Sequence, residues 1–294
     1  MPTLYEEVRA MLRDSEFRPR KSRGQNFLIH EHVIEGILRL LDLQPSDNVV
    51  EIGPGLGFLT RRLIERAQAV WAVEIDELLA QRLTAGELGT NEKFHLVYGD
   101  VLDVDLPEFL PKGKMKLAGN LPYNIATEVL FRIFEWRAHF SSLVLMVQKE
   151  VAERIASGPG SKSYGTLSVW CQVHGRIGDK IHVSPAAFYP RPKVQSTILK
   201  IELLPQARAR DADMPALRGL VRAAFGQRRK TLSNTMVTWL QHERADVDGF
   251  LLAQGIDPQR RGETLSVDEF IKLAQAVGQS GFLPSENRQL KTGD

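Results

Sequence analysis

One cysteine, Cys171, stands in a chain of 294 residues, so no disulfide can close within it and a disulfide-stapled secreted scaffold is excluded. The setting of that cysteine, TLSVWCQV, is apolar and helix-like, which marks the thiol as a core group rather than a nucleophile. Long apolar runs are missing too. The longest strongly apolar stretch is LVLMV at 143–147, far short of the roughly 20 residues that a membrane helix needs. The first twenty residues are polar and charged, with no apolar core of an export signal. A cytoplasmic protein is the expectation. Seven histidines are scattered without metal-ligand spacing, His30 and His32 read as exposed helix-start residues, and no metal is expected. An excess of one charge sign is absent: 38 Lys and Arg face 36 Asp and Glu, a net charge of +2. Overall charge therefore names no partner. There is no repeat period and no low-complexity tract.

The distribution of charge says more than its sum. RPRKSR at 18–23 holds four basic residues and no acid, and GQRRK at 226–230 holds three in a row. Either cluster alone reads as a solvated face. Together, flanking a possible site, Arg20, Lys21 and Arg23 with Arg228, Arg229 and Lys230 point to a polyanion.

Strand-like and helix-like segments alternate through the first two thirds. NVVEIG (48–53), AVWAVEI (69–75), FHLVYGD (94–100), MKLAGN (115–120) and SLVLMVQ (142–148) read as buried strands, with helices near 57–67, at DELLAQRL and over 124–136. This predicts an α/β fold of parallel βαβ units with helices on both faces. GRIGDKIHVSP and VQSTILKIEL read as an antiparallel hairpin at the sheet edge. The character changes near Pro205. Beyond a polar linker the pattern is helical: PALRGLVRAAF, RKTLSNTMVTWL, VDGFLLAQG and SVDEFIKLAQAV. The expected division is 1–204, including a basic arm over 1–32, and a small all-helical domain over 205–294 with a loosely held tail.

EIGPGLG at 51–57 joins the first strand to its helix, where glycines such as Gly53 and Gly55 allow positive φ and close approach to a ligand. Glu74 ends the second strand and is placed to accept from ribose hydroxyls. Asp100 ends the third and is placed to accept from an exocyclic amine such as that of adenine. A glycine turn and two acids on successive strand ends describe an adenosine-containing ligand. The dinucleotide fingerprint wants glycine where Phe58 stands, so the turn suits S-adenosylmethionine better than a nicotinamide cofactor.

NLPY at 120–123 follows the fourth strand. An adenine amine is a poor nucleophile because its lone pair is delocalised into the ring. The Asn120 side-chain oxygen and the Leu121 carbonyl can each accept one of its N–H groups and so localise that pair. Pro122 fixes φ and offers a carbonyl without a donor. Tyr123 can stack on the target base. An aspartate at 120 keeps an acceptor, so Asn120→Asp is expected to retain more activity than Asn120→Ala.

With these residues in view, the chain resembles the KsgA-type small-subunit rRNA adenine dimethyltransferases. GQNFL (24–28), EIGPGLG, AVEID, GD, NLPY, QKEVAERI (148–155), YGTLSV (164–169), FYPRPKVQST (188–197), RRKTLSN (228–234) and DPQRRGETLS (257–266) follow that family's motifs in order. The resemblance implies a Rossmann-like class I methyltransferase sheet with a helical C-terminal RNA-binding domain. It further implies S-adenosylmethionine as cofactor and dimethylation of N6 on two adjacent adenosines near the 3′ end of small-subunit rRNA. Cofactor contacts are implied at Asn26, Leu28, Gly53, Glu74, Asp100 and Asn120. Gln25, Gly55, Ile75 and Val101 complete the candidate set. Phe188 is implied to pack against the target base opposite Tyr123, with core packing as the alternative. An Erm-like large-subunit enzyme, a non-catalytic assembly factor and an oxidoreductase are the competing readings. The C-terminal motifs, the intact acids and the glycine spacing, respectively, speak against them. The implied partner is rRNA in an assembling subunit, met by a monomer.

Overall fold

A computed structural model describes residues 3–14, 19, 25–122 and 125–280. The candidate residues Arg20, Lys21, Arg23 and Tyr123, and the C-terminal tail beyond residue 280, lie outside the described residues. The elements in chain order are α1 (Leu4–Asp14), β1 (Phe27–Leu28), α2 (Glu31–Leu41), β2 (Asn48–Ile52), α3 (Phe58–Arg66), β3 (Ala69–Glu74), α4 (Glu77–Ala85), β4 (Phe94–Tyr98), β5 (Met115–Asn120), α5 (Ala126–Glu135), β6 (Phe140–Gln148), α6 (Lys149–Ala156), α7 (Thr166–His174), β7 (Gly175–Val183), β8 (Phe188–Tyr189), β9 (Ser196–Leu203), α8 (Met214–Gly226), α9 (Leu232–Leu240), α10 (Arg244–Ala253) and α11 (Val267–Ser280).

Seven strands form one sheet in the order β4-β3-β2-β5-β6-β9-β7. β4, β3, β2, β5 and β6 are parallel, and β9 is antiparallel to β6. The expected edge pair is thus present, as β9 and its neighbour β7. Both faces of the inner parallel strands β3, β2, β5 and β6 are covered, whereas β4, expected to be buried, is the sheet edge and leaves His95 and Tyr98 exposed. Val49, Val70, Ala72, Ala118 and Val144 join the core formed with α1, α2, α3 and α4. Their alternate neighbours Val50, Val73, Leu117, Leu143 and Leu145 are equally buried on the other face. Strands buried on both faces carry unbroken apolar runs, which is why these segments were legible as strands. A second, two-stranded ribbon pairs β1 with β8, placing Phe27 opposite Tyr189 and Leu28 opposite Phe188.

The chain divides into two compact units, Met1–Ala152 with Arg176–Pro205, and Glu153–Gly175 with Gln206–Asp294. This differs from the expected division in one respect: Glu153–Gly175, which interrupts the first unit, packs with the C-terminal helices. The contacts are specific. Gly160 N–H donates to the Glu263 carbonyl, Arg208 N–H donates to the Val173 carbonyl, and Tyr164 meets Phe225 edge to face. Cys171 is fully buried in α7, and burial pushes its thiol pKa up. That agrees with the core role expected for it.

The helical unit explains the DPQRRGETLS motif in structural terms. Ser266 Oγ accepts from Glu269 N–H (3.1 Å), while Ser266 N–H donates to Glu269 Oε2 (2.7 Å), a reciprocal cap at the start of α11. Arg260 grips the same carboxylate through both terminal nitrogens, at 2.5 and 3.1 Å. Its hydrogen bonds, foremost, hold the Glu269 pKa below the usual carboxylate range. Glu269→Ala removes the cap and the fork together and is expected to cost about 1–2 kcal/mol. Urea unfolding of variant and wild type measures this, and an unchanged midpoint would show that α11 starts without help from Glu269.

Candidate active site at the carboxyl edge of the sheet

β2 lies between β3 and β5, so the chain leaves β2 in one direction for β3 and β4, then crosses back to β5. A crevice opens where the order reverses, outside the carboxyl ends of the strands. The described structure has a pocket there. It is lined by Gln25, Asn26, Leu28, Gly53, Gly55, Glu74, Ile75, Asp100, Val101 and Asn120. Every residue singled out for cofactor contact therefore shares one cavity, although they come from five segments of the sequence.

The glycine loop is shaped by sterics. Gly55 has φ of 59°, and a Cβ there would lie 3.2 Å from the Phe27 ring. Gly57 has φ of 78° at the start of α3, where a Cβ would come within 2.7 Å of Leu88. A side chain at either position meets both strain and a neighbour.

Glu74 is buried, and its carboxylate is oriented by backbone. Gly55 N–H donates to Oε2 (3.1 Å) and Asp76 N–H donates to Oε1 (2.8 Å). Asp76 in turn caps α4, accepting from Leu78 and Leu79 N–H. Asp100 accepts from Leu102 N–H through Oδ1 (2.9 Å). Asp100 stands in the turn after β4 rather than in the strand, because β4 ends at Tyr98 and Gly99 follows with φ of 155°.

The chain's amino-terminal arm is bonded to this edge. Gln25 Nε2 donates to Asp76 Oδ2 (3.0 Å), and Asn120 Nδ2 donates to the Asn26 carbonyl (3.1 Å). Because the Asn26 partner is an acceptor, it decides which end of the Asn120 amide is nitrogen. The Asn120 oxygen is left as the end that can accept. Gln25 and Asn26, both candidates for cofactor contact, make these protein contacts through the Gln25 amide and the Asn26 main chain.

Two further candidates are placed differently from expectation. Leu121 is buried, its N–H bonded to the Met146 carbonyl, and Pro122 lines the pocket. The Pro122 carbonyl already accepts from Ile125 N–H (3.2 Å), so it closes a turn instead of facing a substrate. Phe188 is 3% exposed, lies within the hydrophobic core and is not among the residues lining the pocket. In this structure it has the core placement, because pairing of β8 with β1 turns its ring inward. In the helical unit, Arg228 is an ion-pair partner of Glu263 (3.1 Å) and donates to the Lys162 carbonyl. Arg229 and Lys230 are exposed. Among the described residues no group of three or more His, Cys, Asp or Glu could hold a metal ion.

Sequence reasoning missed Glu51. Its carboxyl is 2% exposed, accepts from the Thr60 hydroxyl (2.6 Å) and lines the pocket. Burial pushes its pKa up to about 7, against the lowering effect of the Thr60 hydroxyl and helped by the nearby Glu74 charge. An acid inside an otherwise apolar strand was the available signal.

A mixed sheet in this order, with a glycine loop and carboxylates at the carboxyl edge, defines the class I fold of the S-adenosylmethionine-dependent methyltransferases. Solved structures share it. A dimethyladenosine transferase from Plasmodium falciparum superposes with a TM-score of 0.75 at 24% identity, covering 87% of this chain and 98% of that one. The 23S rRNA methyltransferase ErmE superposes at 0.62 with 23% identity, covering 86% and 100%. The family model for ribosomal RNA adenine dimethylase matches residues 16–278. Ribosomal RNA small subunit methyltransferase A of Syntrophotalea carbinolica is 47% identical over 261 residues, 88% of this chain and 97% of that protein. Its counterpart in Geobacter metallireducens is 42% identical over 274 residues, 90% and 98%. The chain belongs to the ribosomal RNA adenine dimethylase family.

The raised Glu51 pKa makes stability depend on pH. The folded chain binds this proton more tightly than the unfolded chain, whose value is 4.5. Stability from this group is complete below that value and is lost as pH rises through about 7. Glu51→Gln is expected to flatten this fall, and thermal melts across that range measure it. Parallel curves for variant and wild type would show that Glu51 titrates as an ordinary exposed acid.

Proposed function

We propose that this chain uses S-adenosylmethionine to dimethylate N6 of two adjacent adenosines near the 3′ end of small-subunit (16S) rRNA, during assembly of that subunit. The observation that carries this reading is the Asn120 amide at the pocket edge, with its nitrogen committed to Asn26 and its oxygen left to accept. Bound S-adenosylmethionine supplies an electrophilic methyl group on a sulfonium centre. The donor set suits it. Glu74, oriented by two backbone N–H groups, accepts from ribose hydroxyls, and Asp100 accepts from an adenine amine. The glycine loop lets the main chain approach the amino-acid end.

Asn120 accepts one N–H of the target amine and the Leu121 carbonyl accepts the other, which localises the lone pair and aims it. No proton leaves before the methyl group arrives, so the chemistry rests on positioning and electrostatics. Stacking of the base on Tyr123 belongs to the same proposal. Among the described residues no helix is long and apolar enough to cross a membrane. The substrate reading is supported by relatives above 40% identity whose names specify the small subunit, whereas the likeness to ErmE at 23% speaks for the fold alone. Labelled-methyl transfer to immature small-subunit particles, free small-subunit RNA and large-subunit RNA, read as mono- and dimethyladenosine by mass, tests it. Dimethyladenosine on large-subunit RNA only would overturn it.

Glu74→Ala is expected to weaken S-adenosylmethionine about ten- to a hundredfold through the lost charge-assisted bonds. Calorimetry on the folded variant decides, and unchanged affinity would remove Glu74 from the site. Asn120→Ala is expected to lower single-turnover methyl transfer at least about a hundredfold. The Asn26 contact argues against the sequence expectation for Asn120→Asp. A carboxylate cannot donate to the Asn26 carbonyl and sets two acceptors against each other, so the aspartate variant should be no more active than the alanine one. Substantially higher activity in Asn120→Asp would show that the Asn26 contact has no part in orienting residue 120. Arg229→Ala with Lys230→Ala should lower the log–log salt slope of RNA binding by about 1.4 to 1.8, the range for two phosphate contacts; Arg228 is left out because Glu263 already holds it.

A further inference from the structure

The helical unit carries a concave feature of its own, a groove between α8 and α9. α8 buries Ala216, Leu217, Leu220, Val221 and Ala224, and this turns Arg218 and Arg222, one turn apart, onto its opposite face. Both are exposed and both line the groove. α9 supplies Trp239 and Thr238 to the other wall. The indole is seated directly on α8 at Gly219, where a Cβ would come within 2.5 Å of the ring. The ring is only partly buried there.

The two arginines differ from others in the same unit. Arg208, Arg210, Arg228 and Arg260 are each ion-paired with an acid. Among the described residues Arg218 and Arg222 form no ion pair. The Arg218 guanidinium lies over the Trp170 ring instead, 5.7 Å from its centroid, a contact that leaves its N–H donors without an acid partner. One acid, Asp211, is among the lining residues. Gln227 also lines the groove, two residues before the exposed Arg229 and Lys230.

We infer that this groove binds a single-stranded segment of the RNA substrate, with an unstacked base on Trp239 and its flanking phosphates on Arg218 and Arg222. The inference rests on the RNA-substrate reading above. An indole beside two guanidinium groups that have no acid partner matches what a nucleotide presents, a flat π-face next to an anion. Neither feature alone selects RNA; a solvated face would not need an aromatic ring set against a glycine.

The test is equilibrium binding of the full chain to a single-stranded RNA oligonucleotide and to a fully paired duplex of the same sequence, over a range of salt. Arg218→Gln with Arg222→Gln keeps the side-chain stems and is expected to lower the single-strand salt slope by about 1.4, two contacts at about 0.7 each. Trp239→Leu is expected to weaken single-strand binding about tenfold and duplex binding little. The arginine pair keeps the inference testable should the tryptophan variant fold poorly. A double-arginine variant with wild-type affinity and slope overturns the inference. The two readings fail differently. Wild-type chain that methylates small-subunit particles while the groove variants bind as it does leaves the proposed function standing and removes the groove. Wild-type chain that neither binds nor methylates RNA removes both.

Discussion

The site depends on the register of four parallel strands. Ile52 stands beside Val73 on one side and beside Gly119 on the other, and Glu74 stands beside Tyr98. That hydrogen-bonded ladder brings the ends of β2, β3, β4 and β5 to one line. Gly53, Glu74, Asp100 and Asn120 are therefore neighbours although they are far apart in sequence. A one-residue slip in any pairing would turn the terminal side chain to the opposite face. The apolar residues buried on both faces oppose such a slip, so the packing of the sheet and the geometry of the site are one constraint.

Polar groups at this edge are arranged in a chain of dependence. Gly55 and Asp76 orient Glu74 through their N–H groups, Asp76 caps α4, and Gln25 bonds to Asp76. Asn26 orients Asn120. The arm that carries Gln25 and Asn26 is itself held by pairing of β1 with β8. Phe27 fills the space beside Gly55 that a side chain there would occupy. The arm thus does two things at once: it covers the glycine loop and sets the direction of the amide proposed to meet the substrate. Exclusion of water by such a cover strengthens every electrostatic contact beneath it.

In the helical unit the motifs that resemble the family divide by role. Arg260 and Glu269 hold the start of α11, and Arg228 with Glu263 joins the end of α8 to the same region. Leu232 N–H donates to the Arg260 carbonyl (2.6 Å) and Ser233 N–H to the Pro258 carbonyl (3.2 Å). RRKTLSN and DPQRRGETLS are thus two halves of one packed structure. Basic residues inside such motifs are partly structural, and a charge counted in sequence need not be a charge offered to RNA.

The strands, the helices and the helical C-terminal region were legible in the sequence, because each rests on local signals; of the ten candidates that line one pocket, Gly53, Gly55, Glu74, Asp100 and Asn120 carried such signals, and the rest followed the family resemblance. Apolar runs marked the buried strands, a change of period marked the helices, and glycines and acids marked the strand ends. Other features were decided only by tertiary structure. Glu153–Gly175 read as part of the first domain because it lies between its strands, yet it packs with helices more than thirty residues further on. Arg228 read like Arg229 until Glu263 stood beside it, and Phe188 stayed open between base packing and core packing until β8 paired with β1. Glu51 was one letter in a strand until burial raised its pKa. The direction of the Asn120 amide depended on a carbonyl in the distant arm. In each case the missing information was a partner brought near by folding. Composition and periodicity report what a residue prefers, whereas charge state, orientation and availability depend on which other groups the fold places against it.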